Sequence, residues 1–154
     1  MVHLVQTCTE GHCLSRLGGM ITLTELYYVY NRARGLDLIS PHDLLKATEK
    51  LDGLDDGIKM KVLAPSSLTV VQLTSVDEKH ICEKILSLFS EIGPLSSSVW
   101  VDYFTVAREL NLSVDIAKAQ LCLALDLGYI CEDSYQYGTY YFQNLFDSFI
   151  HDSA

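Results

Sequence analysis

The stretch Leu23 to Leu45, LTELYYVYNRARGLDLISPHDLL, holds two helix starts and one helix stop, and leaves room for only a short connection between them. Thr24 can cap a first helix, in which Leu26, Val29, Tyr30 and Ala33 recur at helical spacing, and Gly35 can close it. Arg32 and Arg34 fall in its last turn, where cations suit the helix dipole. A second start follows at once, with Ser40 as N-cap, Pro41 at the first helical position, and Leu44, Ala47, Leu51 and Leu54 along one face. Two helices joined this closely form a helix-turn-helix, which any fold of this chain must accommodate.

The residues that follow supply strands. Ile58 to Leu63 (IKMKVL) alternates apolar and basic residues as a half-buried strand does, and Leu68 to Leu73 (LTVVQL) is rich in β-branched residues. Ala64 to Ser67 provides the turn, so the two runs predict a β-hairpin whose loop is a wing. With a short strand from Met20 to Leu23, the pattern is that of a winged helix.

The order then repeats. Asp77 to Ile92 is a strong helix with Ile81, Ile85, Leu88, Phe89 and Ile92 on one face, ended by Gly93 and Pro94. Leu95 and Ser96 can form a short strand, and a helix capped by Ser98 runs to about Leu110 with Trp100, Tyr103, Phe104 and Ala107 facing inward. Ser113 caps the next helix, which carries Ala117, Leu121, Ala124 and Leu125 and stops at Gly128; Tyr129 to Glu132 and Thr139 to Phe142 read as a second hairpin. The expected class is α+β, mainly helical, with two tandem winged-helix domains. Their bounds are 18–75 and 76–146, after a divergent N-terminal segment 1–17 and before a tail 147–154. Residues 1–17 hold Gly11 in mid-segment and few helix formers, so the first domain is expected to lack a clear opening helix. The junction at Thr74 to Val76 has no Gly/Ser-rich spacer, so the two domains should pack as a semi-rigid rod.

Composition narrows the function. The chain has 154 residues, 49 % of them hydrophobic, which is enough to bury a core. No apolar run reaches the roughly 20 residues of a membrane span, and residues 1 to 18 lack the basic start and apolar core of a signal peptide. An intracellular, cytoplasmic protein is expected. The five cysteines, Cys8, Cys13, Cys82, Cys122 and Cys131, are odd in number and unevenly spaced, unlike a disulfide framework. Cys82 and Cys122 read as small core hydrophobes, and His3, Cys8, His12 and Cys13 match no common zinc spacing. No metal or other cofactor is expected. Eleven Lys and Arg against twenty Asp and Glu leave a formal charge of −9, which repels nucleic acid and anionic lipid.

Several of these residues also carry a family resemblance. Gly18-Gly19, the LTELYYVYNRARG run, LISPHDLL from Leu38 to Leu45, the strand residues Leu68 to Leu73, and Gly128, Cys131, Asp133, Gly138 and Asn144-Leu145-Phe146 resemble the C-terminal region of the vacuolar protein-sorting-associated protein 36 family, the GLUE-domain subunits of ESCRT-II. The resemblance spans about residues 18 to 146. It implies tandem winged helices in a structural role within a Y-shaped assembly. One partner is another winged-helix subunit, and the second winged helix receives the proline-containing N-terminal segment of a smaller subunit. Such a complex sorts ubiquitinated membrane cargo into multivesicular endosomes, so the chain would be recruited from the cytoplasm to endosomes. The GLUE domain, which engages ubiquitin and phosphoinositides, has no counterpart among these residues, and no direct membrane or ubiquitin contact is carried over.

The partner-binding candidates are Tyr28, Arg32, Arg34, Tyr103, Tyr129, Tyr140 and Tyr141. Tyr27, Tyr28 and Tyr30 cannot share one core, and Tyr28 is the expected surface anchor. Arg32 and Arg34 point to different sides of their helix; at least one is expected to pair with Asp37 or Asp43 or to cap carbonyls, and an ion pair to another subunit is the alternative. Tyr140 and Tyr141 face opposite ways on their strand, and an aromatic groove there would suit proline rings. Trp100 and Phe104 read as core. The alternative function is a winged-helix DNA-binding regulator, whose recognition helices would offer Asp43, Lys46, Glu49, Lys50 and Asp52 in the first domain and Asp115, Lys118, Gln120 and Asp126 in the second. Those charges point the wrong way for phosphate. His42, His80 and His151 are scattered with no nucleophile or carboxylate beside them in sequence, and no enzyme is expected.

Overall fold

The computed structural model describes residues 12–51, 57–92 and 99–146. One order of elements occurs twice. The first half contains helix α1 (His12–Arg16), strand β1 (Met20–Thr22), helices α2 (Leu23–Arg34) and α3 (Pro41–Thr48), and strands β2 (Ile58–Leu63) and β3 (Leu68–Leu73). The second contains helix α4 (Glu78–Ile92), strand β4 (Trp100–Val101), helices α5 (Tyr103–Glu109) and α6 (Val114–Asp126), and strands β5 (Ile130–Tyr135) and β6 (Gly138–Gln143). Each half closes a three-stranded antiparallel sheet with its third strand in the centre, β1-β3-β2 and β4-β6-β5.

The repetition extends to register. Gln72 pairs with Met20 on one side and Lys59 on the other; Phe142 likewise pairs with Trp100 and Cys131. Met20 and Trp100 therefore hold the same place, as do Ile21 and Val101, Val71 and Tyr141, and Lys61 and Asp133. The hairpins differ only in their loops, Ala64 to Ser67 in one and Gln136-Tyr137 in the other.

Capping sets the helix starts. Thr22, not Thr24, caps α2: its hydroxyl accepts from the Glu25 N–H at 3.1 Å while the Glu25 carboxylate accepts from the Thr22 N–H at 3.1 Å. This reciprocal capping box satisfies two orphan donors, which a lone Thr24 could not do, and it ends β1 one residue before Leu23. Ser40 caps α3 as expected, accepting from the Asp43 N–H at 3.1 Å, with Pro41 at the helix start. Asp102 caps α5 by accepting from the Thr105 N–H at 2.8 Å. The expected helix from Ser98 is thereby displaced: Trp100 lies in β4, and Ser98, Leu95, Ser96 and the Gly93-Pro94 stop lie outside the described residues.

Two cores result. Leu14, Ile21, Leu26, Leu44, Leu51, Ile58 and Val71 form one within the first half. Leu14 comes from α1, so a short helix stands where the first domain was expected to have no clear opening helix. Val29 and Ala33, placed on the buried face of α2 by their spacing, are exposed; only Leu26 and Tyr30 are buried there. The second core joins Met20, Leu63 and Val70 of the first sheet to Ile81, Cys82, Ile85, Leu88 and Phe89 of α4 and to residues of α5, α6, β4, β5 and β6. The halves thus share a core, and each fully buried side chain of this size contributes about 1.5–3 kcal/mol.

Gly18 and Gly19 bring the halves this close. Gly18, at φ 67°, would place a Cβ 2.6 Å from the Leu110 carbonyl oxygen, and Gly19, at φ 84°, would place one 2.6 Å from Cγ2 of Val76. Both conformations and both contacts exclude a side chain. The pair is an interlock between the halves, and within the first half the Leu73 N–H donates to the Gly19 carbonyl at 3.0 Å.

Candidate interaction surfaces

Directly paired strand residues share a face, so the register divides each sheet into two faces. In the first sheet, Ile21, Val71 and Ile58 face their own helices, while Met20, Val70 and Leu63 face the second half. In the second sheet, Val101, Tyr141 and Ile130 turn inward and are buried. Trp100, Phe142, Cys131, Tyr140, Asp133 and Tyr135 turn outward.

That outer face is aromatic. Trp100, 50 % exposed, meets Tyr140 edge-on at 4.6 Å between ring centroids, and Tyr135 lies 6.2 Å from Tyr140. Beside them a groove of about 510 Å³ runs between β5, the end of β6 and Phe146, with Phe142 and Cys131 in its lining and Glu132 and Asp133 along it. The Tyr135 hydroxyl hydrogen-bonds the Asp133 carboxylate, which with that negative charge holds the phenol above its ordinary pKa.

The other candidates separate. Tyr141 is 6 % exposed and cannot serve as a surface anchor, because its register with Val101 turns it into the core; burial, then the charge of Glu132, raises its pKa. Tyr103 is half-buried, its ring 4.4 Å from that of Phe104 and covered by the Lys118 ammonium at 4.6 Å. Phe104 is 58 % exposed, so neither it nor Trp100 is core: the cap at Asp102 rotates both outward from their expected positions. Tyr129 is exposed beyond the end of α6.

On the first half, Tyr28 is 68 % exposed on α2 and Arg32 is exposed on the same helix. Arg34 is engaged locally. Its guanidinium donates to the Tyr30 hydroxyl at 3.0 Å and to the Asp37 carbonyl, and lies 3.6 Å from the Asp37 carboxylate. The structure therefore brings Tyr140 together with Trp100 and Tyr135, and leaves Tyr28 and Arg32 on a different element.

The helices that would read DNA are poorly equipped for it. Exposed residues of α3 and of the turn that follows it are a mixed set that includes Asp43, Lys46, Glu49 and Lys50, and Asp52 lies outside the described residues. On α6 only Asp115, Lys118 and Asp126 are exposed. Gln120, placed among the residues such a helix would offer, is 1 % exposed and its amide donates to the Met20 sulfur at 3.8 Å across the junction. The first half covers that side of α6.

His3 and Cys8 lie outside the described residues, as do the side chains of His12 and Cys13; among the described residues no group of three His, Cys, Asp or Glu is placed to hold a metal. Cys82 is 1 % exposed inside the shared core. Cys122 is partly buried, and burial followed by the charges of Glu132 and Asp126 raises its thiol pKa. No described helix is long and apolar enough to cross a membrane.

A model of the EAP30/Vps36 family matches residues 1–134. The chain belongs to this family. Among its relatives, vacuolar protein-sorting-associated protein 36 of Homo sapiens is 35% identical over 133 residues, 86% of this chain and 33% of the relative. The Drosophila melanogaster protein of the same name is 38% identical over 128 residues, 83% of this chain and 30% of its own length. This member of the EAP30/Vps36 family thus spans about a third of the length of the curated relatives it matches. It is also similar to a chain in the structure of the ESCRT-II endosomal trafficking complex, with a TM-score of 0.60 and 27% identity, covering 82% of this chain and 75% of that one.

For this family member the residues missed by sequence reasoning are Trp100, Phe142 and Phe146. The available signal was Asp102, a better N-cap than Ser98 because it stands directly before a run without breakers, Tyr103 to Leu110. Recognising that cap would have left Trp100 on a strand.

Proposed function

We propose that this chain is a structural subunit of ESCRT-II, a protein–protein scaffold acting in the sorting of ubiquitinated membrane cargo into multivesicular endosomes. It consists of two winged-helix units, 18–75 and 76–146, held as one semi-rigid body. The repeated sheet carries this reading: two halves with the same strand order and register are fused through a shared core, in a chain of the EAP30/Vps36 family. The likeness to a chain of the ESCRT-II complex supports it further.

In this role the first unit presents Tyr28 and Arg32 to another winged-helix subunit, where an exposed aromatic beside a cation suits a heterologous interface. Arg34 acts one step back by holding the α2–α3 connection through Tyr30 and Asp37. The second unit, through Tyr103, Tyr129 and Tyr140, receives the proline-containing segment of the small subunit. The protein works from the cytoplasm and is recruited to endosomes by the assembled complex. No catalytic step belongs to it.

Co-expression with the two other core subunits tests this. A stable complex that co-elutes in size exclusion is expected, and elution of this chain as a separate species would overturn the proposal.

A further inference from the structure

We infer that Ser40 is a phosphorylation site for a proline-directed serine/threonine protein kinase, presented on the α2–α3 connection and gated by the hydrogen bonds that hold that connection closed. Such a modification lies outside the scaffold reading and holds or fails without it.

Sequence narrows the acceptor to one residue. Of the three prolines, Pro41, Pro65 and Pro94, only Pro41 follows a hydroxyl side chain; Ala64 and Gly93 precede the others. Ser40 is exposed, as are Pro41, His42 and Asp43 after it and Gly35 to Leu38 before it. Leu36 and Leu38, four and two residues ahead of Ser40, belong to neither core and are exposed by 102 % and 67 %. The fold thus leaves two apolar side chains beside the acceptor for an enzyme to grip. Ser40 itself is extended, at φ −77° and ψ 155°, as the following proline favours. Kinase clefts take acceptor segments in extended form, so the reacting residue is already in the conformation that phosphoryl transfer uses.

Hydrogen bonds restrain it. The Ile39 N–H donates to Asn31 Oδ1 at 2.9 Å, and Asn31 Nδ2 donates to the Ile39 carbonyl at 3.4 Å, which ties the residue before the acceptor to α2. The Ser40 hydroxyl donates to the Asp43 carboxylate at 2.8 Å and accepts from the Asp43 N–H at 3.1 Å. Both bonds occupy the proton and the lone pair that phosphoryl transfer needs. They lie at the surface, at the start of a helix of eight residues, where local opening costs far less than global unfolding. Clamp and cap therefore act as a gate on the rate. Once it opens, Ser40 Oγ bonds to the γ-phosphorus of ATP, the bond from that phosphorus to its bridging oxygen breaks, ADP leaves, and the hydroxyl proton passes to the kinase's catalytic carboxylate. Up to residue 76 seven Lys and Arg stand against eight Asp and Glu, so the about −1.5 to −2 charges of the phosphate turn a nearly neutral half acidic.

The full chain is incubated with ATP and, in separate reactions, a purified mitogen-activated protein kinase and a purified cyclin-dependent kinase, and phosphate is located by peptide mass spectrometry. Incorporation at Ser40 is expected. Pro41→Ala keeps the Ser40 cap but removes the ring that a proline-directed cleft reads, and should lower incorporation about tenfold or more. Asn31→Ala should raise the rate about fivefold by releasing Ile39. Asp43→Ala, at an exposed position, frees the hydroxyl without touching the core and should raise it about twofold. Each variant is assayed below its own melting transition. No phosphate at Ser40 with either kinase overturns the inference, as does incorporation that Pro41→Ala leaves unchanged. A rate that neither Asn31→Ala nor Asp43→Ala raises overturns the gate.

Discussion

The two sheets of this protein share strand order and register and differ in what lies on their outer faces. The first is covered on both sides, with Met20 and Val70 exposed by 2 % and 0 %, and serves as the middle layer between its own helices and the next unit. The second is apolar within and aromatic without, and its Trp100, at the place of Met20, stands half in solvent. One fold can therefore bury the outer face of its sheet or leave it to solvent, according to the side chains on alternate strand positions and what is stacked against them.

Substitutions break or sharpen this comparison. The largest effect is expected at the interlock: Gly18→Ala must adopt a positive φ and set its Cβ against the Leu110 carbonyl, costing about 3–4 kcal/mol in urea unfolding. Next comes the matched pair. Met20→Ala should cost about 2–4 kcal/mol, since it empties a buried site, whereas Trp100→Ala should cost about 1 kcal/mol, mostly its contact with Tyr140. Equal losses at the two positions would show that the sheets do not differ as described.

A smaller effect of opposite sign is expected at Gln120. Its amide oxygen is buried without a hydrogen-bond partner and its nitrogen has only the weak Met20 sulfur acceptor, so Gln120→Met should leave stability unchanged or raise it by up to about 1 kcal/mol. A clear loss in the denaturation midpoint would mean that the amide contributes more to the junction than this geometry provides. The smallest test is chemical: Cys122, with its thiolate disfavoured by burial and by Glu132 and Asp126, should alkylate more slowly at pH 8 than a free thiol, as read by peptide mass spectrometry. Glu132→Gln should speed it modestly.

Local signals made much of this architecture legible. The Ser40-Pro41 start, the strand pairs Ile58 to Leu63 and Leu68 to Leu73, and the helix ending at Ile92 stand where their residues placed them. The errors fell where two local signals competed. Thr22 and Thr24 are both capping residues, and only the Glu25 carboxylate, reaching back to Thr22, decides between them. Ser98 and Asp102 competed in the same way, and the outcome moved Trp100 from an expected core helix to an exposed strand. In the candidate site, Tyr28 and Tyr140 were legible as aromatics in excess of a small core, but Tyr141 was assigned outward and lies buried. Strand alternation says that neighbours face opposite ways; it does not say which one faces in.

The sequence by itself determined the order of elements, most of their limits and the family, because caps, turns and apolar periodicity act over a few residues. Tertiary structure alone decided which sheet face is covered, that Gly18 and Gly19 interlock with Leu110 and Val76, and that Gln120 belongs to the junction instead of a reading surface. Those outcomes depend on contacts between residues far apart in the chain, such as Met20 with Gln120, and burial is a property of what lies opposite a side chain, which no local pattern encodes.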